Sequence, residues 1–459
     1  MRYNFRALAC AALLATMFAA SCDTGGSPVP PDPSTFTVYS SGEVIGVSAP
    51  ADSADPGTAV NITAGGTGSR AANADGSVSF KATVSAGTIR LSYTKSGQQL
   101  TSDASVQSLI TRVTKPLFST GAAPNDMVLA DNSLFIANSL DNTVVRYSPA
   151  GVVEDTATFD QFASPSYLDS FQGTLYVTTN GDNFLTTFAQ DDLVNPVDHI
   201  SLEASEAFLG PGKPAFASFL QPDYSVIVPC AAIESFGSPS VYGDSSLRFI
   251  SLPDGPVLKA GGLPLHNGNY AAVSEARQEV FFVSAGELQF DAQFNPSITT
   301  DSYLTVITDL TDVASAVLIN LGPVGASSMA LSPDGNTAYL GNLISGNLYK
   351  VDLVNRTVLR GQGDPIHLTN EFTYISDLEF LPGTTLLLAT SFNTDELYVI
   401  DTATDTVSPA PYPGPFDLSL DPQLLGGAIG VEVDNSVDPP VAYVLYSVAN
   451  SVARVNLLP

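Results

Sequence analysis

Ser328-Met329-Ala330-Leu331-Ser332-Pro333-Asp334-Gly335-Asn336-Thr337-Ala338-Tyr339-Leu340-Gly341-Asn342, followed by Gly346-Asn347-Leu348-Tyr349-Lys350-Val351-Asp352, reads as three short strands joined by two turns. Its apolar runs are too short for helices and are bounded by turn chemistry, which marks strands. Asp334-Gly335 supplies a tight turn whose glycine is free to take positive φ. Two more copies are clear. One is Asp377–Gly383, Leu386–Ser391 and Glu396–Asp401; the other is Asp126–Ala130, Leu134–Ser139 and Asn142–Tyr147. Fainter copies place a middle strand at Leu175–Thr179, Val226–Cys230, Val280–Ser284 and Val441–Tyr446.

The resulting seven middle strands recur about every 51 residues, close to the roughly 40–50 of propeller repeats. Each unit has room for four strands and cannot bury both faces alone, so the copies must pack radially. A stack of separate sandwiches would need a period nearer roughly 100 residues. The expected fold is all-β: a seven-bladed β-propeller over 104–459, behind a small N-terminal sandwich over 35–103. After Val452–Asn456 the chain stops at Pro459, leaving the seventh unit one strand short. The strand-like run Leu109–Thr114 is expected to pair with that last blade and join the ends of the ring, removing a free edge.

The repeat resembles the YVTN family of propellers, whose unit reads roughly SPDG-x-x-x-YVAN-x-x-x-N-x-V-x-VID-x-x-T. The matching stretches are Ser332–Asp352, Ala389–Thr406 and Leu134–Tyr147. The resemblance implies seven blades and leaves function open, because a propeller hosts many unrelated activities. Repeats three and four depart from it by the insertions Ala231–Asp244 and Gly286–Asp301, and loops that long in a compact repeat are more often functional than idle. Upstream, period-two strands alternate with the turns Asp55-Pro56-Gly57 and Asp75-Gly76. Pro56–Gln98 resembles bacterial immunoglobulin-like modules, which implies a spacer or adhesion role and brings no catalytic motif.

Residues 1–21 read as a secretory signal: Arg2 and Arg6 precede the apolar run Ala7–Ala20, which is shorter than the about 20 residues that span a bilayer. Ala19-Ala20-Ser21-Cys22 resembles the lipobox of bacterial lipoproteins, departing from it at Ala19, where leucine is commoner. The resemblance implies cleavage before Cys22 and acylation of its thiol. Asp23, after the cysteine, resembles an inner-membrane retention signal of enteric bacteria. Residues 22–34 then form the lipidated cysteine and a Pro/Gly-rich tether. The expected location is the bacterial envelope, lipid-anchored, on either the periplasmic or the surface face.

Of the 459 residues, 46 are Asp or Glu and 17 are Lys or Arg, a formal net charge of −29. That field repels phosphate backbones, so no nucleic-acid partner is expected, and membrane attachment is expected through the N-terminal lipid alone. With Cys10 lost in the signal and Cys22 acylated, Cys230 has no disulfide or CxxC partner and reads as a small core residue.

Propeller ligands usually sit at the mouth of the channel, among the starts of innermost strands and the loops after middle strands. Here those positions are Asn125, Asp126, Asn138, Asn180, Asn342, Ser376 and Asp377. Such amides and carboxylates suit a hard cation such as Ca²⁺ or a polyol; the bland alternative is that they cap turns. His199, His266 and His367 fall on separate blades, His199 on an outer strand. No HExxH, GxSxG, Walker or GxGxxG arrangement stands in a credible context. The chain has no tryptophan, so it departs from the quinone-carrying propellers, and neither a quinone nor a nucleotide cofactor is expected. No catalytic residue is assigned. The reading is a noncatalytic binding or scaffold module for envelope proteins or glycans; the alternative is a lactonase-like hydrolase with a metal or acid/base site at the channel mouth.

Overall fold

A computed structural model describes residues 37–457, apart from 41–43, 50–51, 85–87, 109–112, 203–208, 218, 220–225, 236–239, 253–256, 261–264, 292, 294, 310–314, 410–411, 413, 422–423 and 438–439. The signal, Cys22 and the tether expected over 1–34 lie outside the described residues, as does 109–112 of the expected closing strand.

Among the described residues there is no α-helix. Seven antiparallel sheets follow one another along the chain, each built outward from an innermost strand. Those strands are Pro124–Ala130, Pro165–Phe171, Ala215–Phe216, Gly268–Ser274, Ala326–Leu331, Ile375–Phe380 and Ala428–Asp434, and blades 1 to 7 are numbered from them. The seven expected middle strands are the second strands of these blades, from Ser133–Asn138 in blade 1 to Val441–Tyr446 in blade 7. They are buried almost throughout because each lies between two neighbouring blades. That is why they read as unbroken apolar runs rather than alternating ones. The core is correspondingly interblade: Tyr339 and Leu348 of blade 5 pack with Leu378 and Leu387 of blade 6. Met127 and Ile136 of blade 1 pack with Tyr443 and Leu445 of blade 7, closing the circle.

The ring is also closed by hydrogen bonds. Val113–Ser119 pairs antiparallel with Ser451–Asn456, through Val113 opposite Val455 and Phe118 opposite Val452, and so supplies the outermost strand of blade 7. Of the expected segment, the described residues Val113 and Thr114 lie in this strand, which runs on to Ser119. Pro116 is the reason the sequence pattern stops short of Ser119. It interrupts the strand pattern in the sequence, and the register slips between Val452 and Arg454 beside it, where proline has no N–H to donate.

Upstream, eight strands pair in the order Gly66–Thr67, Val78–Val84, Val44–Ala49, Thr37–Ser40, Gln98–Ser108, Thr88–Lys95, Ala59–Ala64, Ser69–Ala71. Gln98–Ser108 runs parallel to Thr37–Ser40 on one side and antiparallel to Thr88–Lys95 on the other. Val47 and Phe80 from one half share a core with Val60, Ile89 and Leu91 from the other, so the halves face each other. The long strand carries this unit past residue 103, where the sequence reading ended it, to Ser108.

Candidate functional site

Each innermost strand carries a bulge near its start, and the residue after it faces the penultimate residue of the second strand. Asp126 stands opposite Ala137, Tyr167 opposite Thr178, Tyr270 opposite Val283, Ser328 opposite Gly341, Asp377 opposite Thr390 and Gly430 opposite Leu445. In blade 3 the bridge Pro211–Cys230 and the pair Ala215–Ile227 have the same one-residue slip, which puts Lys213 at this position. Two residues on, and therefore on the same face, come Val128, Asp169, Ala215, Ala272, Ala330, Glu379 and Glu432. These two tiers bring Asp126, Asp169, Asp377, Glu379 and Glu432 together around one cation, Lys213, with Tyr270 beside it.

Lys213 Nζ lies 3.7 Å from Asp126 Oδ1, with both side chains largely covered. Burial alone would lower the Lys213 pKa, but Asp126, Tyr270, Asp377 and Glu432 carry it well above the usual value, so it is an ammonium. Burial works the other way on the acids, disfavouring charge. It pushes Asp126 up to about 6 against the pull of Lys213, and it raises Asp169 and Asp377. Burial and the neighbouring Asp377 take Glu379 up to about 7. Burial, with Glu379 and Asp377 beside it, takes Glu432 well above the carboxylate range.

Several of these carboxylates hold the ring together. Asp126 Oδ2 accepts from Leu168 N of blade 2 at 2.8 Å while Oδ1 accepts from Met127 N at 2.9 Å. Asp377 repeats the arrangement toward blade 7, accepting from Val431 N at 3.0 Å and Leu378 N at 2.9 Å. Glu432 takes a backbone hydrogen bond from Leu129 of blade 1. Among the described residues no three His, Cys, Asp or Glu side chains are grouped so as to hold a metal ion.

The other mouth positions are placed differently. Asn342 turns inward: its Oδ1 accepts from Ile344 N at 2.7 Å and Ser345 N at 2.9 Å, and its Nδ2 donates to Tyr349 Oη. Asn138 is fully buried and donates to Thr143 Oγ1. Ser376 is buried and donates to the Ala428 carbonyl of the next blade. Asn125 sits in the bulge of blade 1, and Asn180 bonds through its backbone N–H to Ser164. Asp126 and Asp377 are thus the two sequence-selected residues that meet in the channel. Lys213, Asp169, Tyr270, Glu379 and Glu432 escaped selection, although Glu379 could have been found by stepping two residues along the strand from Asp377. The histidines do not converge: His199 stacks on Phe184 in an outer strand, His266 bonds to the Gly243 carbonyl, and His367 bonds to Asn347 on blade 5.

Two additions rise beside the mouth. The insertions of blades 3 and 4 fold as hairpins, Ile233–Ser235 with Val241–Tyr242 and Leu288–Phe290 with Pro296–Ile298. They clasp one another: Tyr242 Oη donates to the Leu288 carbonyl at 2.8 Å, and Gln289 exchanges bonds with the Ser240 backbone. On the far side the N-terminal unit docks through Arg70, which pairs with Glu371 at 3.1 Å and donates to Thr369 Oγ1, while Asn73 accepts from Asn370. Both insertions follow second strands, and 369–371 precedes the innermost strand of blade 6, so both additions stand at the channel-mouth end.

The chain is therefore a seven-bladed β-propeller with a decorated mouth. Solved structures share its fold. A streptogramin B lyase covers 75% of this chain and 97% of its own at 10% identity, with a TM-score of 0.52. A catalytically inactive virginiamycin B lyase from Staphylococcus aureus, solved with quinupristin, covers 75% and 99% at 10% identity, with a TM-score of 0.55. The structure of U3-55K covers 75% and 98% at 13% identity, with a TM-score of 0.52. At such identities the likeness is one of fold. No family model and no curated protein matches the sequence.

Proposed function

We propose that this chain is a lipid-anchored envelope protein whose YVTN-like propeller is a noncatalytic binding module for proteins or glycans, carried with an immunoglobulin-like N-terminal unit. One observation carries the reading: Asp126 and Asp377 spend both oxygens on backbone amides of their own and the next blade. The elements that exceed the needs of the fold, the clasped hairpins and the docked N-terminal unit, stand on the rim instead. A photo-crosslinker placed at Val241 on the crest is expected to capture a specific partner. The same group at Val354, on a turn at the opposite end, is expected to capture none.

A hydrolase reading is favoured by the carboxyls of Asp126 and Glu379, held near about 6 and about 7, values suited to acid/base work near neutral pH. Calorimetry with Ca²⁺ and Zn²⁺, together with lactone hydrolysis by Asp126→Ala and Asp377→Ala, separates the two. Tight metal binding with activity lost in both variants would replace the binding-module reading.

A further inference from the structure

The turn 159–164, leading from blade 1 into blade 2, holds an aromatic residue in an unfavourable backbone conformation. Phe162 has φ +74° and Ser164 φ +55°. For a bulky side chain such a φ is an outlier that persists only where the surroundings impose it. Here they do. Ala163 N donates to Asp160 O at 3.0 Å, Ser164 N to Asn142 Oδ1 at 3.0 Å, and Gly181 N to Ala163 O at 2.8 Å. Gly181 is wedged so closely that a β-carbon there would lie 1.7 Å from the Phe162 carbonyl oxygen. The strained residue is nevertheless displayed, with Phe162 69% exposed and Leu140 55% exposed. Leu140 sits on the turn 139–142, whose Asn142 bonds to both Phe159 N and Ser164 N. Glycine would occupy the Phe162 position without strain, so folding does not explain the ring.

The charges around it have one sign. The turns 139–142, 159–164 and 180–183 carry Asp141, Asp160 and Asp182 and no lysine or arginine. We propose that the adjoining turns displaying Phe162 and Leu140 are the contact point for a cationic segment of a protein partner bearing a large apolar residue. This rests on the binding-module reading and gives its partner a chemistry. The apolar side chain would cover Phe162 and Leu140, while Lys or Arg beside it would meet the three aspartates and the face of the ring. The overall charge of −29 disfavours acidic partners at the same place.

The test is to pan a random peptide library displayed on phage against the whole protein and then measure the enriched peptides by fluorescence polarisation. Enriched peptides are expected to carry net positive charge and a large apolar residue, and to bind more weakly as salt is raised. Phe162→Gly keeps the left-handed backbone and removes the ring; it is expected to melt no lower than the parent and to lose about tenfold in affinity. Asp160→Asn is expected to weaken binding by a smaller factor. Acidic or neutral enriched peptides, or binding indifferent to Phe162→Gly, would overturn the inference. Peptides indifferent to Phe162→Gly but lost in Tyr242→Ala would overturn it and leave the binding-module reading in place. No enrichment, with no partner cross-linked at Val241, would remove both.

Discussion

Raising the pH from 5 to 8 should destabilise this protein, and the channel acids set the size of the effect. An acid whose folded pKa stands above its unfolded value holds its proton more tightly when folded. Its contribution to stability is complete below the unfolded value and is lost as pH climbs through the folded one. For Asp126 that window runs from the ordinary 3.8 to about 6, and for Glu379 from 4.5 to about 7. At about 1.4 kcal/mol per pKa unit, each group is worth about 3 kcal/mol. Part of the Asp126 share is already lost at pH 5, and the two titrate within one cluster, so the joint loss between pH 5 and 8 is about 3–4 kcal/mol. Acids of the opposite kind act at lower pH. Hydrogen bonds hold Asp192, Asp334 and Asp352 below their ordinary value, so their contribution is present above the unfolded pKa and fades as pH falls. The resulting profile is a dome with its crest at about pH 4, where the unfolded values of both kinds lie.

Urea denaturation at a series of pH values measures this directly. With a slope of roughly 3 kcal/mol/M, the midpoint should fall by about 1 M between pH 5 and 8. Glu379→Gln, which removes one raised carboxyl, should stabilise the protein by about 3 kcal/mol at pH 8 and by about 1 kcal/mol or less at pH 5. A midpoint that is flat or rises over this range, or a Glu379→Gln effect equal at both ends, would refute the reasoning.

Asp395, nearly buried, accepts from Gly426 N and Gly427 N at 2.7 Å each and from Ala428 N at 3.3 Å; Asp395→Asn leaves one of these donors bare and should cost about 2 kcal/mol in denaturant unfolding. Arg70→Ala should free the N-terminal unit from the propeller, seen as faster hydrogen exchange at 369–371 with the propeller's main melting transition kept. Cys22→Ser should move the protein from the membrane to the soluble fraction; unchanged membrane association would refute lipid anchoring.

The sequence disclosed most where physics allowed little choice. Second strands such as Val280–Ser284 and Val441–Tyr446 are covered on both faces, so apolar side chains must run without a break, and that run survives when every turn motif has drifted. The closing strand was half hidden because Pro116 breaks the pattern in the middle of it. The channel was the least legible part. The position after the bulge is occupied in turn by Asp126, Tyr167, Lys213, Tyr270, Ser328, Asp377 and Gly430, which share no chemistry. Only the register makes them equivalent. Lys213 was hardest to see, because the innermost strand of its blade is just Ala215–Phe216 and has no repeat signature. Asn138 and Asn342 stood out as amides at a mouth, yet a residue ending a second strand is also where a turn needs a cap, and for Asn342 the turn uses the amide oxygen.

The junctions between blades show why the charges lie where they do. Beside the innermost strands, the links from blade 2 to blade 6 include neutral hydroxyls: Thr178 Oγ1 to Gly212 O, Ser245 Oγ from Gly268 N, Ser302 Oγ from Gly325 N, and Ser328 Oγ to Ile375 O; farther out, ion pairs join Arg356 to Glu279 and Lys350 to Asp405. Along the channel, carboxyl groups take over at the three consecutive junctions that flank the closure, through Asp377, Glu432 and Asp126. An ionised carboxyl accepts from an amide more strongly than a neutral group does, but burial opposes that ionisation here, most of all at Glu432. Closure depends on a strand from outside the repeat, and there the carboxyl acceptors of the channel are concentrated. Their drawback is mutual repulsion inside a narrow channel, which Lys213 offsets from the opposite side of the ring. Ring closure and sensitivity to pH are therefore two consequences of one arrangement, and a variant that weakens the second should be sought among the acids that clamp nothing, of which Glu379 is the first to change.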